Sequence, residues 1–499
     1  MLNFEELKAL PADVALTKVD VASQNRDFMA ALQLIQHVLS IQPDNSVVRG
    51  RLTEVSELAK KEKARIEKNE KPPESNIKEI ASLIFSEQHA KAQRECQKLM
   101  ERFPKSDSLM SLLGVSMAGE GRFADAVGVF DSGIRNNPYV SELHRNRAQA
   151  LFDQGLPDAA LVGVELAILI CASCEDDNVQ AVTNLTVRGN ILRETGKLQE
   201  ALASYDEATE VKDDNANTYY NRGKTRSLLG EWDAAIDDFG TAVSLDATDE
   251  DYWLNLMATM PQVIFDRYDE NLDYFFSRML THQTSDPREL SGSMLTALKK
   301  HPSFVLKFQR QSLSSEELDD LTDNLSNILP LIELMKLSPL PDLELEGFFT
   351  VLRQALLNRV VDDYREVKGL RFCAALAMQC FINDYIYNET DAEAEKLRLL
   401  EDNVGAALAA GHIIAPEKIA VLGAYKALSE YAYAQQLLEN CTDSFLREVL
   451  EMQVEHLMRE TVLTENIQSL TPSGDEVSLM VKEQYEKHPY PRWVKSSTL

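Results

Sequence analysis

The chain has 499 residues, enough for two to four domains or for one long repeat array. Hydrophobic residues make up 44% of it, and its formal net charge is −29. So large an acidic excess disfavours nucleic acids and anionic membrane surfaces as partners, because few basic side chains are available to replace the counterions of phosphates. The start, MLNFEELKAL, has no long apolar stretch, so we expect no secretory signal and a cytoplasmic location.

Cysteines, histidines and apolar runs give no sign of a metal site or a membrane span. Six cysteines are too few for a disulfide framework in a chain of this length. Cys171 and Cys174 form a single CxxC without a second pair, and we interpret both as small core residues. The apolar run LVGVELAILICAS is interrupted by Glu165 and is predicted to be too short to cross a bilayer. The eight histidines lack metal-ligand spacing.

The first 60 residues are predicted to be helical and to hold one weak copy of a repeat that is clearer further along. In DFMAALQLIQHVLSIQPDN, the residues Ala31, Ile35 and Pro43 stand in phase with that repeat. The charged run AKKEKARIEKNEKPPES follows and ends in two prolines, which favours a helix end and then a hinge. We therefore predict a charged linker over residues 61–75.

A 34-residue period dominates residues 76–260. Four glycines stand at equivalent points, with spacings of 34, 41 and 34, and the longer spacing contains the insert EDDNVQA. An Ala follows each glycine after five residues, and a small residue precedes it by seven. A larger residue, apolar or aromatic, follows each glycine after nine residues. These four sets are Gly121, Gly155, Gly196 and Gly230; Ala126, Ala160, Ala201 and Ala235; Gly114, Ala148, Gly189 and Gly223; and Phe130, Val164, Tyr205 and Phe239.

This spacing predicts pairs of antiparallel helices that stack into a superhelix. The turn glycine permits the positive φ that ends the first helix, and the small residue lets the large one pack closely. One hairpin cannot bury its apolar face alone, so neighbouring hairpins must stack. The pattern resembles the tetratricopeptide repeat. A weaker copy carries Ala92, Cys96 and Pro104, and Pro261 is expected to end the array soon after Trp253.

The first helix of each pair is expected to line a concave inner face. Its polar positions are occupied by Arg145, Asn146, Gln149, Asn190, Arg193, Tyr220, Asn221 and Lys224. An amide can both donate to and accept from a peptide backbone, and a cation can hold a carboxylate. We therefore predict a site for a peptide or protein ligand, in which Asn146, Asn190 and Asn221 hold backbone groups. A merely solvated polar face is the alternative.

The second half of the chain loses the 34-residue period but keeps helical spacing of its apolar residues. We predict connecting helices over 261–315 and a second all-helical domain over 316–474. Nothing in the sequence resembles a β-hairpin or a βαβ unit. The predicted fold class is therefore all-α, a tetratricopeptide-repeat superhelix followed by a second helical domain.

Two further motifs lie in the second half of the chain. One contains Gln379, Cys380, Phe381, Ile382, Asn383 and Tyr385, and the other contains Gln484, Tyr485, Glu486, Pro489, Tyr490, Pro491, Arg492 and Trp493. Together they resemble those of a bacterial family in which tetratricopeptide repeats are fused to a class I S-adenosylmethionine-dependent methyltransferase. Asp384 replaces the Glu that is usual in the family. The resemblance implies that this chain is the non-catalytic, substrate-presenting part of such a protein.

The Gly-rich strand–turn–helix of a cofactor site is missing from the sequence. We therefore expect no cofactor in this chain; S-adenosylmethionine would bind only to a further domain, expected beyond Leu499. Residues 475–499 are predicted to be a connector that docks through Tyr485, Pro489, Tyr490, Pro491, Arg492 and Trp493. A stand-alone adaptor that docks a separately encoded enzyme remains an alternative.

A third hypothesis is that the chain is an enzyme with an unrecognised active site built from helices. Cys380 is its candidate nucleophile, but the apolar context CAALAMQCF favours a buried, inert thiol. The sequence leaves open whether the full protein is an enzyme, and it does not identify the peptide, the methyl acceptor or the oligomeric state.

Overall fold

The computed structural model describes residues 10–42, 44–66, 71–175, 177–268, 271–302, 304, 313–362 and 368–460. Every regular element in these ranges is a helix, so the predicted all-α class is confirmed. The chain divides into two compact units, Met1–Leu256 and Met257–Leu499. The finer sub-segments predicted from the sequence, including the linker over 61–75 and the tail over 475–499, remain predictions.

The described part of the first unit is built from antiparallel helix pairs. Its helices are α1 Ala12–Gln24, α2 Phe28–Ile41, α3 Ser46–Ile66, α4 Glu74–Phe85, α5 His89–Met100, α6 Asp107–Gly119, α7 Phe123–Asn136, α8 Ser141–Asp153, α9 Pro157–Ile170, α10 Asn178–Glu194, α11 Leu198–Val211, α12 Ala216–Leu229, α13 Trp232–Leu245 and α14 Glu250–Thr259. The last of these continues past Leu256 into the second unit and runs into a 3-10 turn, Met260–Gln262, that contains the proline expected to end the array.

The repeat geometry follows the sequence prediction closely. The four turn glycines have φ between 75° and 84°, which is the left-handed conformation that ends the first helix of each pair. A Cβ on Gly114 would lie 2.4 Å from the ring of Phe130, and one on Gly223 would lie 2.8 Å from the ring of Phe239. The small residue is thus required by close packing inside each hairpin.

Two turns achieve the same geometry without glycine. Arg26, between α1 and α2, has φ of 59°, and Glu87, between α4 and α5, has φ of 58°. Arg26 and Glu87 lie five residues before Ala31 and Ala92, respectively. This is the position that the turn glycine occupies in the clearer repeats, and both alanines are fully buried. The backbone path is therefore set by helix packing, and these residues adopt a strained conformation to follow it.

The N-terminal helices pack against the end of α9 and the turn that follows it. A π-helical turn, Cys171–Glu175, continues α9 and leads into the insert EDDNVQA. Cys174, Leu166 and Tyr139 belong to the same apolar cluster as the buried residues of α1–α3. This part of the array therefore provides a docking surface for helices that the sequence suggested were separate from it.

Helix α9 and its π-helical continuation form the most apolar segment of the chain. Pro157–Cys174 covers 18 residues, and by length and composition alone it is long and apolar enough to cross a membrane. The expectation that this run is too short was therefore wrong, because the π-helical turn extends it. Ala160, Val164 and Ala167 on this helix are fully buried against neighbouring helices, which accounts for part of its apolar character.

The second unit has a different plan, in which helix α20 is central. The described helices are α15 Asn271–Thr281, α16 Pro287–Leu298, α17 Ser315–Ser326, α18 Leu329–Leu337, α19 Leu343–Asp362, α20 Leu370–Ile382, α21 Asp391–Ala409, α22 Pro416–Gly423, α23 Ala434–Asn440 and α24 Ser444–Leu450, followed by a π-helical turn, Glu451–His456. Eleven residues of α20, from Phe372 to Ile382, are all buried.

A buried ion pair links α19 to α21 in this unit. Nη2 of Arg353 lies 3.9 Å from Oε1 of Glu393, and both side chains are almost fully buried. The same Nη2 donates to the carbonyl oxygen of Asn388 at 2.7 Å. The hydroxyl of Tyr425 donates to Oε1 of Glu393 at 2.8 Å, and the backbone N–H and the hydroxyl of Thr390 donate to its Oε2 at 3.0 and 2.8 Å. Charges at such depth require partners of this kind.

Candidate functional site

The predicted inner-face residues lie on three helices, α8, α10 and α12, each the first helix of its pair. They therefore lie on the equivalent helices of three successive repeats. Their side chains are engaged to different degrees in contacts within the protein, however. These contacts decide which of them can reach a ligand.

The residues of α8 make links to neighbouring repeats. Nδ2 of Asn146 donates to Oγ of Ser111 on α6 at 2.9 Å. Nη1 of Arg145 donates to Oδ1 of Asn184 on α10 at 3.2 Å. Gln149 donates to Asp153 of its own helix at 2.9 Å. The polar face of α8 thus stabilises the stacking of three successive repeats.

The asparagines of α10 and α12 also have internal partners. Oδ1 of Asn190 accepts a hydrogen bond from the hydroxyl of Tyr205 at 2.8 Å. Nδ2 of Asn221 donates to the backbone oxygen of Asn217 at 2.8 Å, and its Oδ1 accepts from Nη1 of Arg193 at 3.1 Å. Asn221 is only 6% exposed. The predicted contact of these amides with a peptide backbone would have to compete with existing bonds.

Lys224 differs from these residues because its ammonium lies over an aromatic ring. Its Nζ lies 5.2 Å from the centre of the Tyr220 ring. Among the residues that the structure describes, no carboxylate oxygen lies within 4.0 Å of this ammonium. Burial and the nearby charge of Arg193 lower the pKa of Lys224, and the attraction of Glu194 and Asp251 does not offset them. The charged form of Lys224 is therefore held at a free-energy cost.

Asn255 on α14 completes this group. Its Nδ2 donates to the hydroxyl of Tyr220 at 3.1 Å, and the Tyr220 and Tyr252 rings lie 4.9 Å apart. We call Arg193, Tyr220, Lys224 and Asn255 the Tyr220–Lys224 cluster. It combines a desolvated cation, an amide and an aromatic face within three successive repeats.

Sequence reasoning missed Asn255, although a signal was present. It lies 34 residues after Asn221, which is one full repeat period. Because Pro261 was expected to end the array soon after Trp253, the predicted inner face did not include this helix. Trp253 is buried and its Nε1 donates to the carbonyl oxygen of Ala247 at 3.1 Å, so α14 has the packing of a repeat helix.

The motif around residue 380 lies in the core of the second unit. Gln379 and Asn383 are buried, and the amide of Gln379, in the orientation that satisfies its neighbours, donates to the carbonyl oxygens of Met335 and Ser338 at 3.0 and 3.1 Å. Burial raises the pKa of the Cys380 thiol to about 12. The prediction that Cys380 is buried is confirmed, and its thiolate form is strongly disfavoured.

The motif from Gln484 to Trp493 lies outside the described residues. The predicted docking residues Tyr485, Pro489, Tyr490, Pro491, Arg492 and Trp493 are all in this segment. In the part of the chain that the structure describes, no group of three or more metal-ligating side chains comes together.

Family models match the array in two places. A model described as "Tetratricopeptide repeat" matches residues 84–177, and one described as "TPR repeat" matches residues 189–230. Residues 84–177 and 189–230 of the first unit are therefore tetratricopeptide repeats.

Curated relatives share parts of this region. The chain is 26% identical over 199 residues to the DnaJ homolog subfamily C member 7 homolog of Schizosaccharomyces pombe, covering 37% of this chain and 41% of that protein. It is 36% identical over 67 residues to tetratricopeptide repeat protein 36 of Danio rerio, covering 13% of this chain and 36% of that protein. The chain thus spans about two fifths of the length of these relatives.

Solved structures show weaker overall likeness. YrrB, described as a TPR protein with an unusual peptide-binding site, has a TM-score of 0.27 and 20% identity, covering 39% of this chain and 95% of its own. MamA has a TM-score of 0.27 and 17% identity, covering 36% of this chain and 93% of its own.

Proposed function

We propose that the inner face of the array binds an extended segment of a partner protein, and that an acidic group of this segment contacts Lys224. The supporting observation is the desolvated ammonium of Lys224, which lies over Tyr220 without an ion-pair partner among the described residues. The chain as a whole is strongly acidic, so a cation in this state is unusual in its context.

The physical argument is one of desolvation. A half-buried ammonium without a counterion has lost part of its hydration and has gained nothing in exchange. A ligand carboxylate would restore a strong, charge-assisted hydrogen bond and would reverse the effect that lowers the pKa of Lys224. Asn255 and the hydroxyl of Tyr220 lie beside it and can pair with the peptide backbone of the same ligand.

The test is calorimetric titration with a peptide library in which each acidic peptide has a neutral counterpart, with Gln or Asn for Glu or Asp and an amidated C-terminus. Lys224→Met is expected to weaken the binding of acidic peptides about tenfold or more, since hydrogen bonds to charged groups contribute ~1.5–3 kcal/mol. Neutral peptides should be affected little, and the salt dependence of binding should decrease.

Lys212→Met is the matched control. Lys212 lies in the loop between α11 and α12, close to Lys224 in the sequence, and it pairs with Asp214 at 2.6 Å. This variant should bind acidic peptides as the unmodified protein does. Equal binding of acidic peptides by the Lys224→Met variant and the unmodified protein would place the ligand elsewhere.

We also propose, from the resemblance of the two motifs, that the chain acts as the cytoplasmic, non-catalytic part of a methyltransferase. Only the motif resemblance supports this finer interpretation, and a stand-alone adaptor is its alternative. This chain alone should then not bind S-adenosylmethionine, whereas a protein that includes a downstream catalytic domain should. A specific site of micromolar affinity in this chain, detected by calorimetry, would contradict the proposal.

A further inference from the structure

The second unit carries a groove that no contact described so far accounts for. Helices α18, α20 and α24 border it, and its volume is about 260 Å³. It is lined by Leu329, Ile332, Ala374, Ala375, Met378 and Val449, together with Phe445 and four charged side chains.

The groove has an apolar floor and a charged rim. Ile332, Ala374 and Met378 on the floor are almost fully buried, whereas Leu329 at the edge is 48% exposed. The small alanine side chains leave a slot beside Met378, and the ring of Phe445 forms one wall. A floor of this kind favours a flat aromatic side chain or a proline.

The rim is negatively charged at one corner. Nζ of Lys336 lies 2.9 Å from Oε1 of Glu333 and 2.8 Å from Oε2 of Glu448, so that two carboxylates share one ammonium. On another side the guanidinium of Arg371 lies 4.8 Å from the centre of the Phe445 ring. One carboxylate at the Lys336 corner is therefore available to a second cation.

We propose that this groove is occupied by the segment Gln484–Trp493 of the same chain. This segment contains two prolines, two tyrosines and a tryptophan within ten residues. The floor suits Trp493 or Tyr490, and the carboxylates of Glu333 and Glu448 suit Arg492. This inference is independent of the inner-face ligand, because it concerns a different unit.

The length of the chain before Gln484 and the charge of the segment Gln484–Trp493 both support this proposal. Helix α24 forms one wall, and the described chain ends at Glu460, ten residues after Leu450. The 24 residues from there to Gln484 can span up to roughly 80 Å when extended, far more than is needed. From Gln484 to Lys495 three basic side chains stand against one acidic one, a formal net charge of +2 in a chain of −29. A basic segment is thus attracted to the acidic body of the protein.

A crosslinking experiment on the full chain tests the proposal. Cysteines are introduced at Leu329 and Val494 in a background with Cys441→Ser, because Cys441 is half-buried and the other five cysteines are buried. A short bismaleimide is then added at low protein concentration. We expect a crosslink within one chain, identified by mass spectrometry of the linked peptides, because docking raises the effective concentration of the two thiols.

Leu343→Cys with Val494→Cys is the matched control. Leu329 and Leu343 are each the first residue of a helix in the same unit, and Leu343 is the more exposed at 86%. Accessibility alone would favour a reaction at position 343. Docking instead predicts that the crosslink at 329 forms about tenfold faster or more. Equal rates, no crosslink at 329, or a product that joins two chains would overturn the proposal.

Trp493 fluorescence gives a second, independent measurement. The Trp493 signal is obtained by subtracting the spectrum of the Trp493→Phe variant. We expect Trp493 to be shielded from acrylamide in the unmodified chain and in Leu343→Glu, but accessible in Leu329→Glu, where a charge enters the groove. If Trp493 remains shielded in a folded Leu329→Glu variant, the segment binds elsewhere.

Discussion

Gly189 lies directly against the ring of Tyr205, so that a Cβ at position 189 would be 2.5 Å from Cε1 of that ring. Tyr205 is fully buried, and its hydroxyl is bound to Asn190, so the ring cannot easily move away. The pairing of a small residue with a large one, which the sequence pattern predicted, is thus a steric requirement of the helix hairpin.

Gly189→Ala is expected to lower the free energy of unfolding by about 1–3 kcal/mol, the usual cost of overpacking a tight core. Gly128→Ala is the control, because Gly128 is exposed within α7 and a Cβ there would meet no atom within 4 Å. That variant should be more stable by roughly 0.5–1 kcal/mol, as alanine favours the helix. Urea unfolding of both variants measures the difference. Similar effects of the two substitutions would contradict the steric explanation.

Substitution by glycine should stabilise the turn at Glu87 but destabilise a helix interior. Glu87 has φ of 58°, which costs a non-glycine residue about 1–2 kcal/mol. Glu87→Gly should therefore stabilise the first unit by a part of that amount, because glycine also gains freedom in the unfolded chain. Glu79→Gly, in the exposed interior of α4, should destabilise it by about 1 kcal/mol. Thermal unfolding of the two variants should shift Tm in opposite directions.

Lys224 should decrease stability even as it favours binding. Burial lowers the pKa of Lys224 below its usual value, so the unfolded chain binds the proton more tightly than the folded one. Its charge therefore opposes folding at neutral pH, and this penalty disappears as pH rises above the unfolded pKa of about 10.5. Lys224→Met should raise Tm at pH 7 and should weaken the binding of acidic ligands. A lower Tm would indicate a structural role for the ammonium.

Lys336 should show the opposite effect on Tm. Burial alone would lower the pKa of Lys336, but hydrogen bonds and attraction from Glu448 and Glu333 outweigh it and raise the pKa. Its stabilising contribution is fully present below about pH 10.5 and is lost as pH rises through the higher folded pKa. Lys336→Met should therefore lower Tm at pH 7, in the direction opposite to Lys224→Met.

The buried pair of Arg353 and Glu393 should be costly to break. Arg353→Met leaves the carboxylate of Glu393 in the core with Tyr425 and Thr390 as donors but without its cation, which typically costs about 3–5 kcal/mol. Arg398→Met, at an exposed position on α21, should change stability by less than about 0.5 kcal/mol. Chemical unfolding of the second unit, followed by circular dichroism, measures both. A small effect of Arg353→Met would mean that water reaches Glu393.

The repeat array could be predicted from the sequence because its determinants are local. The turn glycine, the small residue and the large apolar residue of each unit lie within 17 positions of one another, as from Gly223 to Phe239. Each unit contacts mainly its neighbours, so the same physical requirement recurs with a constant period. The same period also predicted the inner face, and Asn255 was not included because the period was not continued by one unit.

The tertiary structure alone decided how these residues are used. Asn190 and Asn221 occupy the expected face but are engaged by Tyr205 and Arg193, and no periodic signal indicates whether an amide is already bonded. In the second unit, Gln453 donates to the carbonyl oxygen of Ala377, 76 residues away, in a contact that is not repeated along the chain. A sequence reveals interactions that recur at fixed spacing, whereas a contact that occurs once, between distant segments, depends on how the whole chain packs.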